Sequence, residues 1–580
     1  PVATKTANLS YLVKNRTRNK EERGAKRLAD NWLPGGSKIG KTRLETLLKN
    51  LGFDIERVVE QNTIGRFEEY FVTTMGGFKR QRNSYTHPIA ALGSGAAEAG
   101  FRVVCLNGAY DADNLIDMMK QIGNAKHTLI LLDYALSKSE RRRLARKTKS
   151  TLGDKLFAVI DRTVIMFLIR YYDETKINRM LVSLITPFAY YQPYVWESAN
   201  VMPPEIFMGR KLELEKIKSP SGVNIVYGGR QLGKSALLKK AKEDIDWNEN
   251  GDRAVYIDIK GLDYKETARK IGHELVDQFI FKEDIDTDNW EELARAVRRR
   301  LQSEEDRIPY LLLLLDEADA FIESCSEINY KPFDSLKEIQ SIGAGRFKFV
   351  VAGLRDIVRF KRDALSNNSV LTHLEPMTVT PFKFSEAREL MEIPLYYLGF
   401  RFPKGKESLI TLIMATTNYF PGLIQLYCAK LIEAMRNKDY AGYDQVDSPI
   451  YDVNEEHIKK VLSDPDFMQQ IREKYIITLK LDEDNYYHLI ALILAWLYHN
   501  EESKSGYSAE DIKRIGSEYG IRKLADLDIT KLENFCEELK ELNVLRKTEE
   551  HRYLFTRFTF FQMMGTADEV DTALLEYMEA

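Results

Sequence analysis

The pattern GxxxxGK[ST] limits what this chain can fold into more than any other feature, and it occurs at residues 228–235 as GGRQLGKS. A chain of this length is expected to contain on the order of 0.02 such matches by chance. The apolar run VNIVY (223–227) precedes the match and the helical stretch ALLKK (236–240) follows it. In a strand–loop–helix unit, inward-turned N–H groups and the amino end of the helix surround a phosphate. The sequence therefore predicts an α/β fold with a parallel sheet and a phosphate-binding loop.

The chemistry of the motif assigns a role to each position of this loop. Lys234 would reach the β- and γ-phosphates, and the Ser235 hydroxyl would bind Mg²⁺. ATP and Mg²⁺ are therefore the predicted cofactors. The alternative is a plain glycine turn between a strand and a helix. The predicted nucleotide-binding residues of the loop are Gly228, Gly229, Arg230, Gln231, Leu232, Gly233, Lys234, Ser235 and Ala236.

A second apolar strand carries the acidic groups that such a loop requires. Residues 310–319 read YLLLLLDEAD, and a buried parallel strand that ends in acids can place them beside a nucleotide. Asp316 would hold Mg²⁺, and Glu317 would polarise the attacking water as a general base. A leucine-rich core strand with a polar end is the alternative. The next apolar run, FKFVVAGL (347–354), ends at Arg355, which is predicted to reach the γ-phosphate, with a surface arginine as the alternative.

The pattern GxxxxGK[ST] occurs a second time, at residues 35–42 as GGSKIGKT. The preceding residues, AKRLADNWLP, have a helical pattern that ends at Pro34, so no buried strand would anchor a loop there. Without a strand, the loop has nothing to hold it in a shape that surrounds an anion. We therefore predict that Lys41 and its neighbours do not bind nucleotide.

Changes in pattern along the chain predict five regions: 1–95, basic and mostly helical; 96–195, a small α/β domain; 196–375, the P-loop ATPase core; 376–480, a helical lid and linker; and 481–580, a winged helix. In 96–195, apolar runs at 101–107, 128–134 and 155–161 alternate with helical stretches, which is typical of a parallel α/β unit. Asp133 and Asp161 end two of these strands, where they would either contact a ligand or cap a helix.

Charge and cysteine content exclude several classes of protein. Lys+Arg of 84 against Asp+Glu of 87 gives a net charge of −3, so nucleic-acid binding would need a local basic patch. The longest apolar run has about ten residues, whereas a membrane span needs roughly 20. Four widely spaced cysteines favour a reducing compartment, and we expect a cytoplasmic protein with no membrane partner. The chain does not start with Met, so we expect that it could be a piece of a longer protein.

The basic stretch near the amino end permits two interpretations. It would form a solvated helix face, or it would contact nucleic acid. Its basic residues are Lys14, Arg16, Arg18, Lys20, Arg23, Lys26 and Arg27.

Taken together, these motifs resemble the STAND branch of the AAA+-related P-loop ATPases, especially the archaeal-type ATPase group. The element FMGR (207–210), with Glu213 and Leu214 after it, is similar to one that lies near the adenine in that group, so Gly209 and Arg210 are predicted nucleotide contacts. NYFPGL (418–423) resembles the lid motif whose proline, here Pro421, packs against the nucleotide. Arg355 stands at the sensor position, although many members have a Thr-Ser-Arg-like string there instead of GLR. The resemblance covers residues 204–440 and implies an ATPase.

The carboxyl-terminal region predicts three helices followed by a hairpin, which is the pattern of a winged helix. It would read DNA through Arg522, Lys523, Arg546 and Lys547, or it would brace the lid, as is commoner in the resembled family. Neighbouring acids favour the second role; they are Glu510, Asp511, Glu537, Glu538 and Glu541.

Three functions remain open at this point. The first is a slowly hydrolysing nucleotide switch that controls self-assembly or a partner protein encoded nearby, with bacterial antiviral defence as the setting that the resemblance implies. The second is a DNA-binding ATPase of the replication-initiator or transposition type. A third possibility is a subunit of a larger machine in which residues 1–195 are the docking module.

Overall fold

The computed structural model describes most of the chain, in stretches separated by gaps. The described residues are 9, 20–34, 38–64, 67–74, 100–122, 126–152, 156–189, 192–194, 206–246, 250–282, 285, 287–303, 307–342, 345–353, 374–436, 451–480, 482, 484–500 and 505–579. The fold is α/β, with two five-stranded sheets and many helices. No helix in these stretches is both long and apolar enough to cross a membrane.

The amino-terminal unit is built on a sheet of order β1-β2-β3-β4-β5. Strands β3, β4 and β5 run parallel, whereas β1 and β2 form an antiparallel hairpin that pairs with β3. Its elements are α1 (Lys20–Asn31), α2 (Lys41–Asn50), β1 (Ile55–Ile64), β2 (Phe67–Thr74), β3 (Phe101–Leu106), α3 (Ala112–Ile122), β4 (Thr128–Leu132), α4 (Lys138–Leu152), β5 (Phe157–Asp161), α5 (Arg162–Arg170) and α6 (Ile177–Ile185).

This sheet crosses the predicted boundary between residues 95 and 96, so that boundary is wrong, and the described part of the first region holds two strands beside its two helices. The hairpin β1–β2 carries many charged residues because only one of its faces is covered; along β2, buried and half-buried residues alternate strictly. Alternation of this kind is typical of a strand with one face towards water. The apolar runs of β3, β4 and β5, by contrast, are fully buried, and the sequence predicted all three.

The central unit has a wholly parallel sheet of order β10-β6-β9-β8-β7. Apolar clusters cover both of its faces, which explains why β8 and β9 are buried along their whole length. Its elements are α7 (Lys211–Lys218), β6 (Ile225–Tyr227), α8 (Lys234–Asp246), β7 (Arg253–Asp258), α9 (Tyr264–Asp277), α10 (Trp290–Gln302), β8 (Leu311–Asp316), α11 (Asp319–Ser326), α12 (Lys331–Ile342), β9 (Phe347–Gly353) and β10 (Pro376–Thr378).

Strand β10 lies just past residue 375, where the strands were predicted to stop. It pairs in parallel with β6, so the sheet of the core ends at residue 378 and not before. The helical region that follows also contains a short parallel pair, β11 with β12. Its elements are α13 (Phe384–Tyr397), β11 (Phe400–Arg401), α14 (Glu407–Thr416), α15 (Pro421–Arg436), β12 (Tyr451–Asp452), α16 (Glu455–Leu462) and α17 (Pro465–Leu479).

The carboxyl-terminal module, residues 486–579, contains the three helices and the hairpin in the predicted order. Strands β13 and β14 pair antiparallel, and Tyr507 adds an isolated bridge to Tyr553. The elements of this module are α18 (Tyr486–Asn500), α19 (Ala509–Glu518), α20 (Arg522–Ala525), α21 (Ile529–Glu541), β13 (Leu545–Lys547), β14 (Tyr553–Phe555), α22 (Phe558–Met564) and α23 (Ala567–Glu579).

Candidate functional site

The glycine loop joins the end of β6 to the start of α8, as a phosphate-binding loop requires. A side chain at position 228 would place its Cβ 2.5 Å from the carbonyl oxygen of Val379, so only glycine fits there. Gly233 (φ 87°) and Gln231 (φ 63°) both adopt left-handed backbone, and these two positions let the chain make a tight turn. Leu232 is buried beneath it.

Lys234 begins α8, and its side chain lies inside the loop. It is 7% exposed, and Nζ donates to the carbonyl oxygens of Gly228 at 2.7 Å and Gly229 at 3.1 Å. Burial lowers the pKa of this ammonium group, and the nearby carboxylates of Glu317 and Asp316 oppose that shift. A buried cation at the mouth of a glycine loop is well placed to attract a phosphate.

The acidic pair lies at the same edge of the sheet as the loop because β6 and β8 are both parallel to β9. Asp316 is 1% exposed, and its Oδ1 accepts the backbone N–H of Glu317 at 3.0 Å. Glu317 has φ 54°, a conformation that costs a non-glycine residue free energy and is concentrated at functional sites. Burial raises the pKa of the Glu317 carboxyl, and the charge of Asp316 raises it further.

These residues fit a magnesium nucleotide. The glycine loop offers backbone N–H groups, Lys234 supplies a buried positive charge, and hard oxygen donors stand at Ser235 and Asp316, which suits Mg²⁺. Ser235 and Ala236 occupy the first turn of α8 and are half-buried, while Arg230 is exposed at the tip of the loop. Among the described residues, no cluster of three or more metal-ligating side chains exists, so a metal ion here would also need the phosphates as ligands.

The FMGR element lies against the loop, but its arginine is engaged within the protein. Arg210 has left-handed backbone and immediately precedes α7; its N–H donates to Glu386 of α13 at 3.3 Å. The guanidinium group donates to the carbonyl oxygen of Leu232 at 3.3 Å and lies over the ring of Phe382. The side chain of Arg210 therefore stabilises the loop. The predicted contact of Gly209 and Arg210 with a nucleotide stays a prediction, and their backbone would make it.

The lid meets the loop at the predicted proline. Pro421 is the first residue of α15, a position where its missing N–H costs nothing. The next N–H, that of Gly422, donates to the carbonyl oxygen of Gln231 at 3.2 Å. The structure therefore brings the start of α15 beside the loop, while the packing of Pro421 against a nucleotide stays a prediction.

Arg355, which the sequence predicts to reach the γ-phosphate, lies outside the described residues, so its role stays a prediction. The sequence offers Arg346, Arg359 and Arg362 equally as an arginine finger. Arg359 and Arg362 also lie outside the described residues, and Arg346 donates to the carbonyl oxygen of Ile308 at 2.8 Å.

The second GxxxxGK[ST] match, residues 35–42, lies only partly within the described residues. Helix α1, not a strand, precedes it, and residues 35–37 lie outside the described residues. The carboxylate of Glu68 accepts a hydrogen bond from the N–H of Ile39 at 3.1 Å, so this N–H already has a partner within the protein. That Lys41 and its neighbours do not bind nucleotide stays a prediction.

Asp161, the other candidate at a strand end, caps a helix. Its carboxylate is fully buried, accepts the N–H groups of Val164 and Leu136, and pairs with Arg141. Each of its oxygens is therefore in use for the fold. Burial raises the pKa of Asp133, but no contact in the structure assigns Asp133 to a ligand.

Sequence reasoning missed two residues that the structure places at this site. Tyr256 of β7 donates to Oδ2 of Asp316 at 2.7 Å. Glu541, at the end of α21, accepts from the hydroxyl of Tyr227 at 3.4 Å, directly before the loop. Neither residue belongs to a motif. Tyr256 reaches the site because of the register of β7 with β8, and Glu541 reaches it because the carboxyl-terminal module packs there.

Comparison with known proteins gives similarity of fold only. No family model matches the chain, and no curated protein matches it. Among solved structures, a Walker-type ATPase of Pyrococcus abyssi is 14% identical, covers 62% of this chain and 96% of its own, and has a TM-score of 0.42.

Two further solved structures have comparable or lower similarity. The ORC2 protein of Aeropyrum pernix, in ADPNP-ADP complexes, is 15% identical and covers 66% of this chain and 98% of its own, with a TM-score of 0.43. Domain III of the Thermotoga maritima replication initiation protein DnaA is 15% identical and covers 48% and 97%, with a TM-score of 0.29. Since all three TM-scores are below 0.5, the assignment of the site rests on its own residues.

Proposed function

We propose that this chain is an ATPase that binds Mg²⁺–ATP in the loop at 228–236 and hydrolyses it slowly. One observation carries the proposal: the buried Lys234 in the loop and the acids Asp316 and Glu317 share one edge of a parallel sheet. A phosphate held between them would contact the cation, and a water molecule beside it would lie within reach of a carboxylate.

Each residue of the site has a separate task in this proposal. Lys234 would leave the carbonyl groups of the loop to bind phosphate oxygens, while Ser235 and Asp316 would hold Mg²⁺. Bound Mg²⁺ neutralises charge on the phosphates. Glu317 would accept a proton from the attacking water, and its raised pKa brings the carboxylate closer in basicity to that task.

The contacts around the loop support a nucleotide-driven switch. The lid donates to Gln231 through Gly422, and the carbonyl oxygen of Leu542 lies 3.3 Å from where a Cβ on Gly229 would stand. Lid and module also contact each other: Thr559 donates to the carbonyl oxygen of Ala415 at 2.8 Å. A nucleotide in the loop would therefore act on three parts at once, and its γ-phosphate could favour one arrangement of them.

The wider role follows only from the resemblance of the motifs to the STAND group. The change of arrangement would control self-assembly or binding of a partner protein, with antiviral defence as the setting. A switch needs a lasting bound state, so slow turnover is part of the proposal.

The contacts of the carboxyl-terminal module favour this role over DNA binding. In a winged helix, α21 would be the helix that enters the major groove. Its end lies against the loop through Glu541, and Glu537 forms ion pairs with Lys540 and Lys547. An acidic helix whose end is covered suits bracing better than contact with phosphates.

Nucleotide binding is the first test. Lys234→Ala should weaken the binding of a fluorescent ATP analogue by at least tenfold, because the buried cation is lost, while the melting temperature stays close to that of the wild type. Lys41→Ala is the matched control, since it removes the lysine of the second match and should leave affinity unchanged. Equal affinity in Lys234→Ala and wild type would disprove the loop assignment.

The switch is tested with a variant that binds but does not hydrolyse. Glu317→Gln should keep ATP bound, and light scattering should show a change in mass or hydrodynamic radius in ATP but not in ADP. An identical radius in both nucleotides, with binding confirmed, would contradict the switch. DNA binding that depends on salt and ATP, without a change in mass, would favour the DNA-binding alternative.

A further inference from the structure

Tyr256 lies on β7, outside every motif that defines the candidate site. Its hydroxyl donates to Oδ2 of Asp316 at 2.7 Å, while the other carboxylate oxygen accepts the N–H of Glu317 at 3.0 Å. Both oxygens of the carboxylate therefore have a donor, one from a side chain and one from the backbone.

The pairing of β7 with β8 explains why this tyrosine reaches that carboxylate. Asp258 pairs with Asp316 and Tyr256 pairs with Leu314, so Tyr256 stands two residues before the position opposite Asp316. Side chains two residues apart on a strand share a face, and a diagonal neighbour lies within reach of an aromatic side chain. The ring also packs below α8, where Nζ of Lys239 lies 5.3 Å from its centroid.

We propose that Tyr256 is a positioning residue that fixes the carboxylate of Asp316 for Mg²⁺; this inference rests on the proposed function. Asp316 is 1% exposed, so water cannot take over the role of the missing donor without rearrangement. A carboxylate oxygen has two lone pairs, so the bond from the tyrosine leaves one for a metal ion or its water. Without the hydroxyl, the carboxylate would be freer to rotate and its charge less well stabilised.

The test separates Mg²⁺ from nucleotide. Binding of a fluorescent ATP analogue is followed while Mg²⁺ is titrated in, and again in EDTA. Tyr256→Phe should raise the half-saturating Mg²⁺ concentration about tenfold, the size expected for one lost hydrogen bond to a charged group. Affinity in EDTA should stay that of the wild type, because the ring and its packing remain.

Tyr310→Phe is the matched control. Tyr310 precedes the opposite end of β8, and its hydroxyl donates to the carbonyl oxygen of Lys218 at 3.1 Å. This variant removes a buried hydroxyl from the same sheet, and its Mg²⁺ requirement should equal that of the wild type. If Tyr310→Phe also raised the half-saturating Mg²⁺ concentration tenfold, the effect would come from the loss of any buried hydroxyl near this sheet and not from Asp316. That result would overturn the inference.

The remaining outcomes are distinguishable. If the wild type binds the analogue without any dependence on Mg²⁺, the proposed function fails. If the wild type depends on Mg²⁺ and Tyr256→Phe needs the same or less, the positioning role is wrong. If Tyr256→Phe loses affinity equally in EDTA, Tyr256 supports the fold of the loop, which also overturns the inference.

Discussion

Lys348 shows how a single buried charge can hold two elements of the core together. It lies within β9 and is 0% exposed. Its Nζ donates to the carbonyl oxygens of Lys216, Ile217 and Ser219 at 2.8, 2.8 and 2.6 Å. The last carbonyl groups of a helix have no partner within the helix, so Lys348 caps the carboxyl end of α7. Arg210, at the other end of α7, donates to the carbonyl oxygen of Leu232 in the glycine loop.

We therefore predict that Lys348→Met destabilises the core. Methionine fills a similar volume but leaves buried carbonyl groups without a donor, which should cost about 2–4 kcal/mol. The cost should appear as a lower midpoint in urea unfolding. Lys404→Met, at an exposed position, is the control and should change the midpoint little. A Lys348→Met midpoint equal to that of the wild type would show that water replaces the lysine.

Tyr256 and Lys348 also show which contacts cannot be predicted from the sequence. Lys234 and Asp316 could be predicted because a glycine loop and an acid-ended strand have fixed spacings along the chain. Tyr256 and Lys348 could not, because their partners are set by strand register and by a helix end far away in sequence. A tyrosine or lysine in an apolar strand has no spacing that identifies its partner.

At the scale of elements, the apolar strands were predictable and the half-exposed ones were not. The runs in β3, β4, β5, β8 and β9 are buried on both faces, so their composition alone marks them. The hairpin β1–β2 was interpreted as part of a basic, mostly helical region because its polar and charged residues together outnumber its apolar ones. The short strand β10, of three residues, is too brief to form a pattern.

The pairing of α18 with α23 gives a prediction about pH. Nδ1 of His488 lies 2.9 Å from the hydroxyl of Tyr577, and burial lowers the pKa of His488 to about 4, helped by Lys480. The folded protein thus holds this imidazole neutral, whereas the unfolded chain binds a proton near pH 6.5. Stability should therefore be lost as pH falls below about 6.5, by on the order of 1–2 kcal/mol at pH 5.

Hydrogen exchange of α23 at pH 7.5 and pH 5, corrected for intrinsic rates, measures this effect. In the wild type, protection of α23 should fall at pH 5. His488→Asn keeps an acceptor for Tyr577 without a titrating group, so its protection should depend less on pH. His551→Asn, at an exposed turn with φ 60°, is the control and should behave as the wild type. Equal pH dependence in all three would exclude His488 as the cause.

At the scale of the whole molecule, the carboxyl-terminal module connects the helical region after residue 378 to the glycine loop. Phe560 of α22 packs against Phe420 of the lid motif at 6.1 Å between ring centroids, and Arg557 lies over the ring of Tyr419. On its other side the module reaches Tyr227 and Gly229 through Glu541 and Leu542. This closed arrangement could not be predicted from the sequence, because it depends on contacts between residues 138 to 314 positions apart.

The charge of Glu541 makes this arrangement testable. A carboxylate beside the loop repels the phosphates of a nucleotide, and like charges in a partly buried site are weakly screened. Glu541→Gln should therefore raise ATP affinity about three- to tenfold at low ionic strength, a gain of roughly 1 kcal/mol, and the gain should shrink in high salt. It should also lower the hydrogen-exchange protection of α21, because the bond to Tyr227 is weakened.

Glu550→Gln removes the same charge from the exposed turn of the hairpin and should change neither property. If Glu541→Gln binds ATP no more tightly than this control, the module does not act on the loop through its charge, and the coupling between the two would depend on the backbone contact at Leu542 alone.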